Sequence, residues 1–391
     1  MFWCLYKSPN RVEDPNKPWP IILWLQGGPG ASGVGIGNFL EIGPQDVNLR
    51  PRTSTWLAKA DLLFVDSPVG TGYSYVEDET LLAKTDEEAV KDLTKLLVQV
   101  FNRNLTTLSS SNAILHIIGE SYGGRLGASL ALSALNAGDL KLKLGGVTLG
   151  STWTSPEDSV LSWGPVLKDF SRIDENGLEK ANSMAMQIKE KIDGGQFAEA
   201  RNLSLTLQGV ISEYTNSVDL YNIMRDSYED VVSPTASNSL QPILYKLMNG
   251  GVIKDRLKVP PNVSWEAPSV RVYDSLVGDF MRPRINEVDE LLLKGVDVTI
   301  YAGQVDLVAP TKGTEAWVHK LKWEGIKTFL STNRTPIYCA GNYNKTKGFS
   351  RTYKNFHFYW ILEAGHFVPA DQPCASLEMV GNIVKPHATF K

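Results

Sequence analysis

Cysteine is scarce in this chain of 391 residues, where it occurs only at positions 4, 339 and 374. Three cysteines form at most one bridge and leave one thiol over, which excludes a scaffold held together by several disulfides. Cys339 and Cys374 both lie near the C-terminal end, and the sequence leaves open whether they pair. No Cys-x-x-Cys pair and no Cys/His cluster is present, so we predict neither a metal site nor another cofactor.

Long apolar runs and an excess of positive charge are also lacking. No stretch of about eighteen apolar residues occurs, so we predict no membrane span. Lysine and arginine total 39 against 43 aspartates and glutamates, a net charge of −4, which argues against nucleic acid or an anionic membrane as the main partner. The hydrophobic content of 42% is ordinary for a globular protein, so a large core can be buried.

The first ten residues contain neither the basic nor the apolar segment of a signal peptide. Residues 2–6 predict a strand and residues 8–10 a turn, and a core strand at the very start leads us to expect that upstream sequence is missing. Five Asn-x-Ser/Thr sequons favour secretion only slightly, because so short a pattern recurs by chance. These candidate glycosylation sites are Asn104, Asn202, Asn262, Asn333 and Asn344.

Strand-like and helix-like segments alternate through the first half of the chain. Thr85 and Glu88 form a capping box that begins a helix, and four apolar runs predict strands. These strands cover residues 20–25, 61–66, 114–118 and 147–149. Such an alternation predicts an α/β fold, in which a parallel sheet is covered on both faces.

The alternation stops at about residue 154. Apolar residues then recur at helical spacing over 178–192 and over 197–211, which predicts a helical hairpin. Strands return afterwards, which favours a mainly helical cap inserted into one core over a separate helical domain. The predicted later elements are a helix at 285–293, strands at 296–301 and 356–361, and a helix at 374–384. We therefore divide the chain into core residues 1–153, a cap at 154–272 and core residues 273–391.

A Gly-x-Ser-x-Gly motif places Ser121 between the strand 114–118 and a helix that follows. This context is typical of the nucleophile elbow of the α/β-hydrolase fold, whose sharp turn needs the small glycines. The alternative is a glycine-rich turn with an incidental serine. The strand–turn–helix context favours the nucleophile.

A serine nucleophile needs a general base, usually a histidine that a carboxylate orients. Of five histidines, His366 follows the strand 356–361, where this fold places its base, and Asp306 follows the strand 296–301. The order Ser121, Asp306, His366 is that of α/β hydrolases. The alternatives are a loop histidine and an ordinary turn aspartate. The other four histidines are predicted to be buried (His116 and His357) or on the surface (His319 and His387).

An acyl-transfer reaction also needs two backbone N–H donors for the oxyanion. One is predicted to be Tyr122, the residue after the nucleophile. The other is predicted to be Gly28, in the glycine loop that follows the strand 20–25. The alternative for this loop is a plain turn.

At these residues the chain resembles the serine carboxypeptidases. Residues 24–30, WLQGGPG, resemble the family's WLNGGPG, residues 119–124 are its GESYGG, and residues 66–75 resemble DxPVGxGFSY. Residues 365–369, GHFVP, resemble GHMVP. Gln26 in place of asparagine points to the retinoid-inducible serine carboxypeptidase type and its close relatives. The resemblance covers essentially the whole chain.

The resemblance implies further roles. In the family, a glutamate before the nucleophile and an asparagine in the glycine loop bind the C-terminal carboxylate of the substrate; here these positions are Glu120 and Gln26. Glu41 matches a glutamate that pairs with the one before the serine. Two glutamates can bind the substrate carboxylate only if they share a proton, because ionised glutamates would repel it. Binding is therefore expected to be favoured at acidic pH.

Three features depart from the family. Gln26 is longer than asparagine, Ala31 stands where many members have a cysteine, and the N-terminus is shorter than usual. The resemblance implies a secretory-pathway protein, secreted or delivered to a vacuole or lysosome.

The resulting prediction is a serine-type carboxypeptidase that acts on peptides or proteins with a free C-terminus. The alternatives are an acyltransferase or hydroxynitrile lyase on the same scaffold, and a non-enzymatic homologue. Glu120 and the complete set of three candidate catalytic residues favour the peptidase.

Overall fold

The computed structural model describes residues 1–12, 18–102, 114–138, 140, 142–227, 240–339 and 344–385. One mixed sheet runs through this part of the chain. Its strands are β1 (Trp3–Tyr6), β2 (Pro20–Leu25), β3 (Asp61–Val65), β4 (Ile114–Glu120), β5 (Lys143–Gly150), β6 (Val298–Gly303), β7 (Thr335–Ile337), β8 (Gly348–Tyr353) and β9 (Phe356–Ile361).

The strand order is β1-β3-β2-β4-β5-β6-β9-β8-β7. The six central strands, from β3 to β9, pair in parallel, whereas β1, β8 and β7 pair antiparallel at the two edges. Along β2, Ile21, Leu23 and Leu25 enter one hydrophobic cluster, and Ile22 and Trp24 enter the other. Both faces of the parallel sheet are therefore buried, as the apolar runs predicted.

Helices cover the two faces and fill the interval between β5 and β6. They are α1 (Asp86–Asn102), α2 (Tyr122–Asn136), α3 (Pro156–Asp169), α4 (Glu175–Asp193), α5 (Phe197–Thr215), α6 (Gln241–Asn249), α7 (Gly251–Leu257), α8 (Val270–Ser275), α9 (Ile285–Leu293), α10 (Thr311–Val318), α11 (Ile326–Ser331), α12 (Val368–Asp371) and α13 (Pro373–Ile383). A π-helix covers Gly33–Ile42, and short 3₁₀ turns cover Trp56–Ala58 and Glu79–Leu81.

The predicted helical hairpin is confirmed as α4 and α5, which pack together through small and aliphatic side chains such as Ala181, Ile188 and Leu207. The cap boundaries at 154 and 272 stay a prediction. The capping box is confirmed in part: Thr85 Oγ1 accepts the N–H of Glu88 at 3.2 Å, but the Glu88 carboxylate accepts from the N–H of Lys84.

The sequence misplaced one strand boundary and missed one pair of strands. The strand predicted at 296–301 begins at Val298, because the N–H of Val296 still bonds to Leu291 O at the end of α9. The short antiparallel pair β7 and β8 was not predicted.

Cys339 and Cys374 form a disulfide, and Cys4 is buried with a free thiol. In the ranges given above, no helix has the length and apolar character needed to cross a membrane.

Candidate active site

Ser121 lies in the turn between β4 and α2 with φ 58° and ψ −125°. Residues with side chains rarely adopt such a backbone, so the surroundings must hold it in place. The glycines on either side permit the turn: a Cβ on Gly119 would come within 2.1 Å of Gly123 O, and one on Gly123 within 2.1 Å of Leu25 O. Ser121 therefore stands at the tip of the strand–turn–helix that the motif predicts.

His366 and Asp306 meet although 60 residues separate them. The carboxylate oxygen Asp306 Oδ2 lies 2.8 Å from His366 Nδ1, and both side chains are buried. Asp306 Oδ1 accepts the N–H of Ala309 at 3.2 Å, which fixes the carboxylate. With Nδ1 facing a carboxylate, the imidazole keeps its Nε2 available as a base.

Tyr221, which lies between α5 and α6 and which the sequence did not single out, holds the His366 loop. Tyr221 O accepts the N–H of His366 at 2.7 Å, and the Tyr221 ring packs edge-on against the imidazole, with centroids 5.4 Å apart. Gly365 permits this approach, because a Cβ there would lie 2.2 Å from Tyr221 O.

Several of the predicted residues line one cavity of about 280 Å³, namely Ser121, His366, Gln26 and Gly28, together with Gly27 and aromatic side chains that include Trp163, Tyr221 and Phe280. The other predicted residues are not in its lining: Asp306, Tyr122, Glu120 and Glu41. The glycine loop passes directly over the serine, since a Cβ on Gly27 would lie 3.0 Å from Ser121 Oγ. Side chains larger than hydrogen would therefore block the nucleophile.

Of the two candidate oxyanion donors, Gly28 lines this cavity, and Tyr122 directly follows Ser121, which lines it. Tyr122 is the first residue of α2, so its N–H has no acceptor within the helix. The positive end of the α2 dipole adds to the attraction for a developing negative charge. Gly28 has φ 106°, a left-handed backbone that favours glycine.

Gln26 and Glu120 form a buried polar cluster next to the nucleophile. Gln26 Nε2 donates to Glu120 Oε1 at 3.2 Å, and the Tyr301 hydroxyl donates to Glu120 Oε2 at 3.4 Å. Trp24 Nε1 donates to Gln26 Oε1 at 2.7 Å. Because the indole can only donate, the Gln26 amide is oriented with its NH₂ toward Glu120, and a hydrogen bond from Gln26 also acts on Glu41, where it partly offsets the raised pKa.

Glu41, on the π-helix, is the second carboxyl group of this cluster. Burial raises the pKa of Glu41 to about 8. Burial, followed by repulsion from Glu41, raises the pKa of Glu120 well above its usual range. Two neighbouring carboxyl groups in a dry site cannot both ionise cheaply, so the pair retains a proton at neutral pH.

Other sequence predictions are located as follows. His116 and His357 are buried and His319 is exposed, as predicted, whereas His387 lies outside the described residues. Four sequon asparagines have exposed side chains, and Asn104 lies outside the described residues. The four are Asn202, Asn262, Asn333 and Asn344. Among residues with described positions, no cluster of three or more His, Cys, Asp or Glu suits a metal ion.

Comparison with known proteins gives consistent matches. A family model described as serine carboxypeptidase matches residues 1–386. Serine carboxypeptidase-like 51 of Arabidopsis thaliana is 53% identical over 416 residues, which cover 98% of this chain and 89% of that protein. Retinoid-inducible serine carboxypeptidase of Mus musculus is 39% identical over 406 residues, which cover 98% and 88%.

A solved structure shares the fold. The prohormone-processing carboxypeptidase KEX1(delta)P from Saccharomyces cerevisiae superposes with a TM-score of 0.83 at 24% sequence identity, over 97% of this chain and 86% of that one. The predicted α/β-hydrolase fold is thereby confirmed.

Proposed function

The chain belongs to the serine carboxypeptidase family, and we propose that it removes single residues from the C-terminus of peptides through an acyl-enzyme on Ser121. The resemblance to this family and to the retinoid-inducible type is confirmed. One observation carries the mechanism: the cavity that Ser121 and His366 line is also lined by Gln26, whose amide contacts the buried Glu120.

In the proposed mechanism, Ser121 Oγ attacks the last peptide carbonyl carbon. His366 Nε2 takes the hydroxyl proton and then gives it to the departing amino group, so that the C–N bond breaks and an ester to Ser121 remains. Water attacks this ester with His366 again as the base. Asp306 keeps the imidazole oriented and stabilises its protonated form, since its carboxylate lies 2.8 Å from Nδ1.

The negative charge that develops on the carbonyl oxygen is proposed to face the N–H groups of Tyr122 and Gly28. Such donors act without reorganising, because the turn and the helix fix them before the substrate arrives. Removal of one donor of this kind typically lowers kcat by about 10²- to 10³-fold.

The C-terminal carboxylate of the substrate is proposed to bind at Gln26 and the Glu41–Glu120 pair. The Gln26 amide and the proton held by the pair are the proposed donors to this carboxylate. An ionised pair would instead repel the substrate carboxylate. Binding therefore favours the acidic side of the raised pKa of Glu41.

The test of this function compares each peptide with its C-terminal amide. Amidation removes the negative charge of the C-terminal carboxylate, which Gln26 and the Glu41–Glu120 pair are proposed to bind. Hydrogen bonds to a charged group contribute about 1.5–3 kcal/mol. We expect kcat/KM to fall by about 10- to 100-fold on amidation. Rates are measured from the release of the last residue, by mass spectrometry. Equal rates on the two peptides would indicate an esterase or an endopeptidase.

A second prediction concerns pH. Because burial raises the pKa of Glu41 to about 8 and that of Glu120 well above its usual range, the pair is protonated at acidic pH, and Glu41 loses its proton as pH rises through about 8. The KM of the wild type should therefore increase across this interval. Glu120→Gln keeps a donor and leaves Glu41 as the one carboxyl group of the pair that titrates, so its KM should be higher at pH 5 and should rise less from pH 5 to 9.

The control for this experiment is Glu324→Gln, because Glu324 is exposed and pairs only with Lys354 among the described residues. Its KM should follow the wild-type curve. A KM that rises equally in Glu120→Gln and in the wild type would show that the pair does not govern binding of the carboxylate.

Location in the secretory pathway, in secreted or vacuolar/lysosomal form, is also proposed. The disulfide between Cys339 and Cys374 suits an oxidising compartment. Exposure of four sequon asparagines is compatible with glycosylation there.

A further inference from the structure

The side chain of Tyr122 points away from the cavity into a buried polar cluster. Its hydroxyl donates to Asp86 Oδ1 at 2.5 Å, and the side chain is almost fully buried. Its ring stacks on Phe280 with centroids 5.8 Å apart, and the Arg125 guanidinium lies 4.7 Å from the ring centre. The residue that offers the proposed oxyanion donor is thus held by Asp86, Phe280 and Arg125, and of these Phe280 also lines the cavity.

Asp86, the first residue of α1, accepts hydrogen bonds from residues that are distant in the sequence. Its Oδ2 accepts from Arg125 Nη2 at 2.7 Å and from Arg284 Nε at 2.9 Å. Its own N–H donates to Asp279 Oδ2 at 2.9 Å. Burial opposes ionisation, but the two guanidinium groups hold the pKa of Asp86 below its usual value. The carboxylate therefore stays charged over the pH range of activity.

The buried part of this cluster contains two cations, Arg125 and Arg284, and two anions, Asp86 and Asp279, with Arg284 Nη2 at 3.2 Å from Asp279 Oδ2. More exposed charges extend it: Glu87 and Glu287 pair with Arg284, and Arg282 pairs with Asp279. Arg125 also donates to the carbonyl oxygens of Asp279 and Phe280. These paired buried charges hold one another in place, whereas removal of one leaves another buried without its partner.

The rigidity matters because the neighbouring residue is strained. Ser121 has a positive φ, which persists only where the surroundings determine it on both sides. On one side, Glu120 is fixed by Gln26 and Tyr301. On the other side, Tyr122 is fixed by Asp86. Without the second anchor, the first turn of α2 can relax and carry the N–H of Tyr122 away from the oxyanion.

We propose that Asp86 is a positioning residue, which acts through the Tyr122 hydroxyl to hold the Tyr122 N–H in line with the developing oxyanion. This inference rests on the proposed acyl-transfer function of Ser121. Arg125 and Arg284 keep Asp86 ionised and in place. The substrate is not touched by Asp86 in this arrangement, so its effect appears in the transition state rather than in substrate binding.

The test is Tyr122→Phe, which deletes the hydroxyl and keeps both the ring and the backbone N–H. We expect kcat to fall about tenfold, because misplacement of a catalytic group by about 1 Å costs up to about 10²-fold. KM should change less than about twofold. The affinity of a peptidyl boronic acid, which forms a tetrahedral adduct on a serine, should fall by the same factor as kcat.

Tyr73→Phe is the matched control, since it deletes another buried hydroxyl, which is donated to Met248 O, and Tyr73 and Tyr122 belong to different hydrophobic clusters. It should retain kcat and boronic acid affinity even if its thermal stability drops. Asp86→Asn removes the buried anion that Arg125 and Arg284 bind, so this variant will also lose stability. The test therefore uses Tyr122→Phe instead.

Two results would overturn the inference. One is wild-type kcat and boronic acid affinity in Tyr122→Phe. The other is an equal loss in Tyr122→Phe and Tyr73→Phe, which would reduce the hydroxyl to a stabilising role. Failure of the proposed function has a different signature, namely peptidase activity that survives in Ser121→Ala.

Discussion

Replacement of Ser121 by alanine is expected to lower kcat on peptides by about 10⁴-fold or more. Alanine has no nucleophilic oxygen, whereas the donors of Tyr122 and Gly28 and the Gln26 site remain in place. KM should therefore change little, and the loss should appear in kcat. Steady-state assays of peptide cleavage measure both constants.

The control variant is Ser133→Ala, which alters a serine on the same helix, α2, whose hydroxyl lies 2.8 Å from Thr94 Oγ1. This variant should react with a fluorophosphonate like the wild type, and Ser121→Ala should not react. A label that persists in Ser121→Ala would exclude Ser121 as the nucleophile.

Replacement of His366 by alanine should lower kcat by a similar factor, about 10⁴-fold or more, because the serine hydroxyl then has no base. The buried Asp306 carboxylate also loses its partner at 2.8 Å. Residues that act as a unit are not additive, so Ser121→Ala/His366→Ala should be no less active than either single variant. Steady-state kinetics on all three variants measures this.

His319→Ala provides the control, since His319 is exposed at the end of α10. It should keep wild-type kcat. A further large loss in the double variant would mean that His366 acts in another step than activation of Ser121.

The sequence predicts the main elements and the three converging residues because each of those signals is local. Ser121 is marked by glycines within two positions, and Asp306 and His366 follow apolar runs that form strands. In a parallel sheet, the carboxyl ends of neighbouring strands lie on one edge. Position after a strand therefore suffices to bring such residues together.

Residues whose role depends on long-range packing are not visible in the same way. Trp24 is one of many apolar strand residues, and only the fold shows that its indole orients Gln26. Tyr301 reaches Glu120 across 181 residues of sequence. Tyr221 lies between α5 and α6, where no motif points to the His366 loop.

The Asp86 cluster illustrates the same limit. In the sequence, Asp86 is one of three acidic residues in the first turn of α1, a pattern that the helix dipole explains by itself. Its partners Arg125 and Arg284 are 39 and 198 residues away. Strands β7 and β8 were missed for a related reason: β7 has only three residues, and β8 is mostly half exposed, so neither carries a long apolar run.

Trapping the acyl-enzyme is the most direct test of whether Ser121 is the nucleophile of a carboxypeptidase. The substrate is a depsipeptide with a free C-terminus, in which an ester replaces the last amide so that acylation outpaces deacylation. Acid quenching protonates His366 and preserves the intermediate for mass spectrometry of the digested protein. We expect the fragment containing Ser121 to carry the acyl group of the substrate without its last residue. An acyl group on any other fragment, or one that retains the last residue, would contradict it.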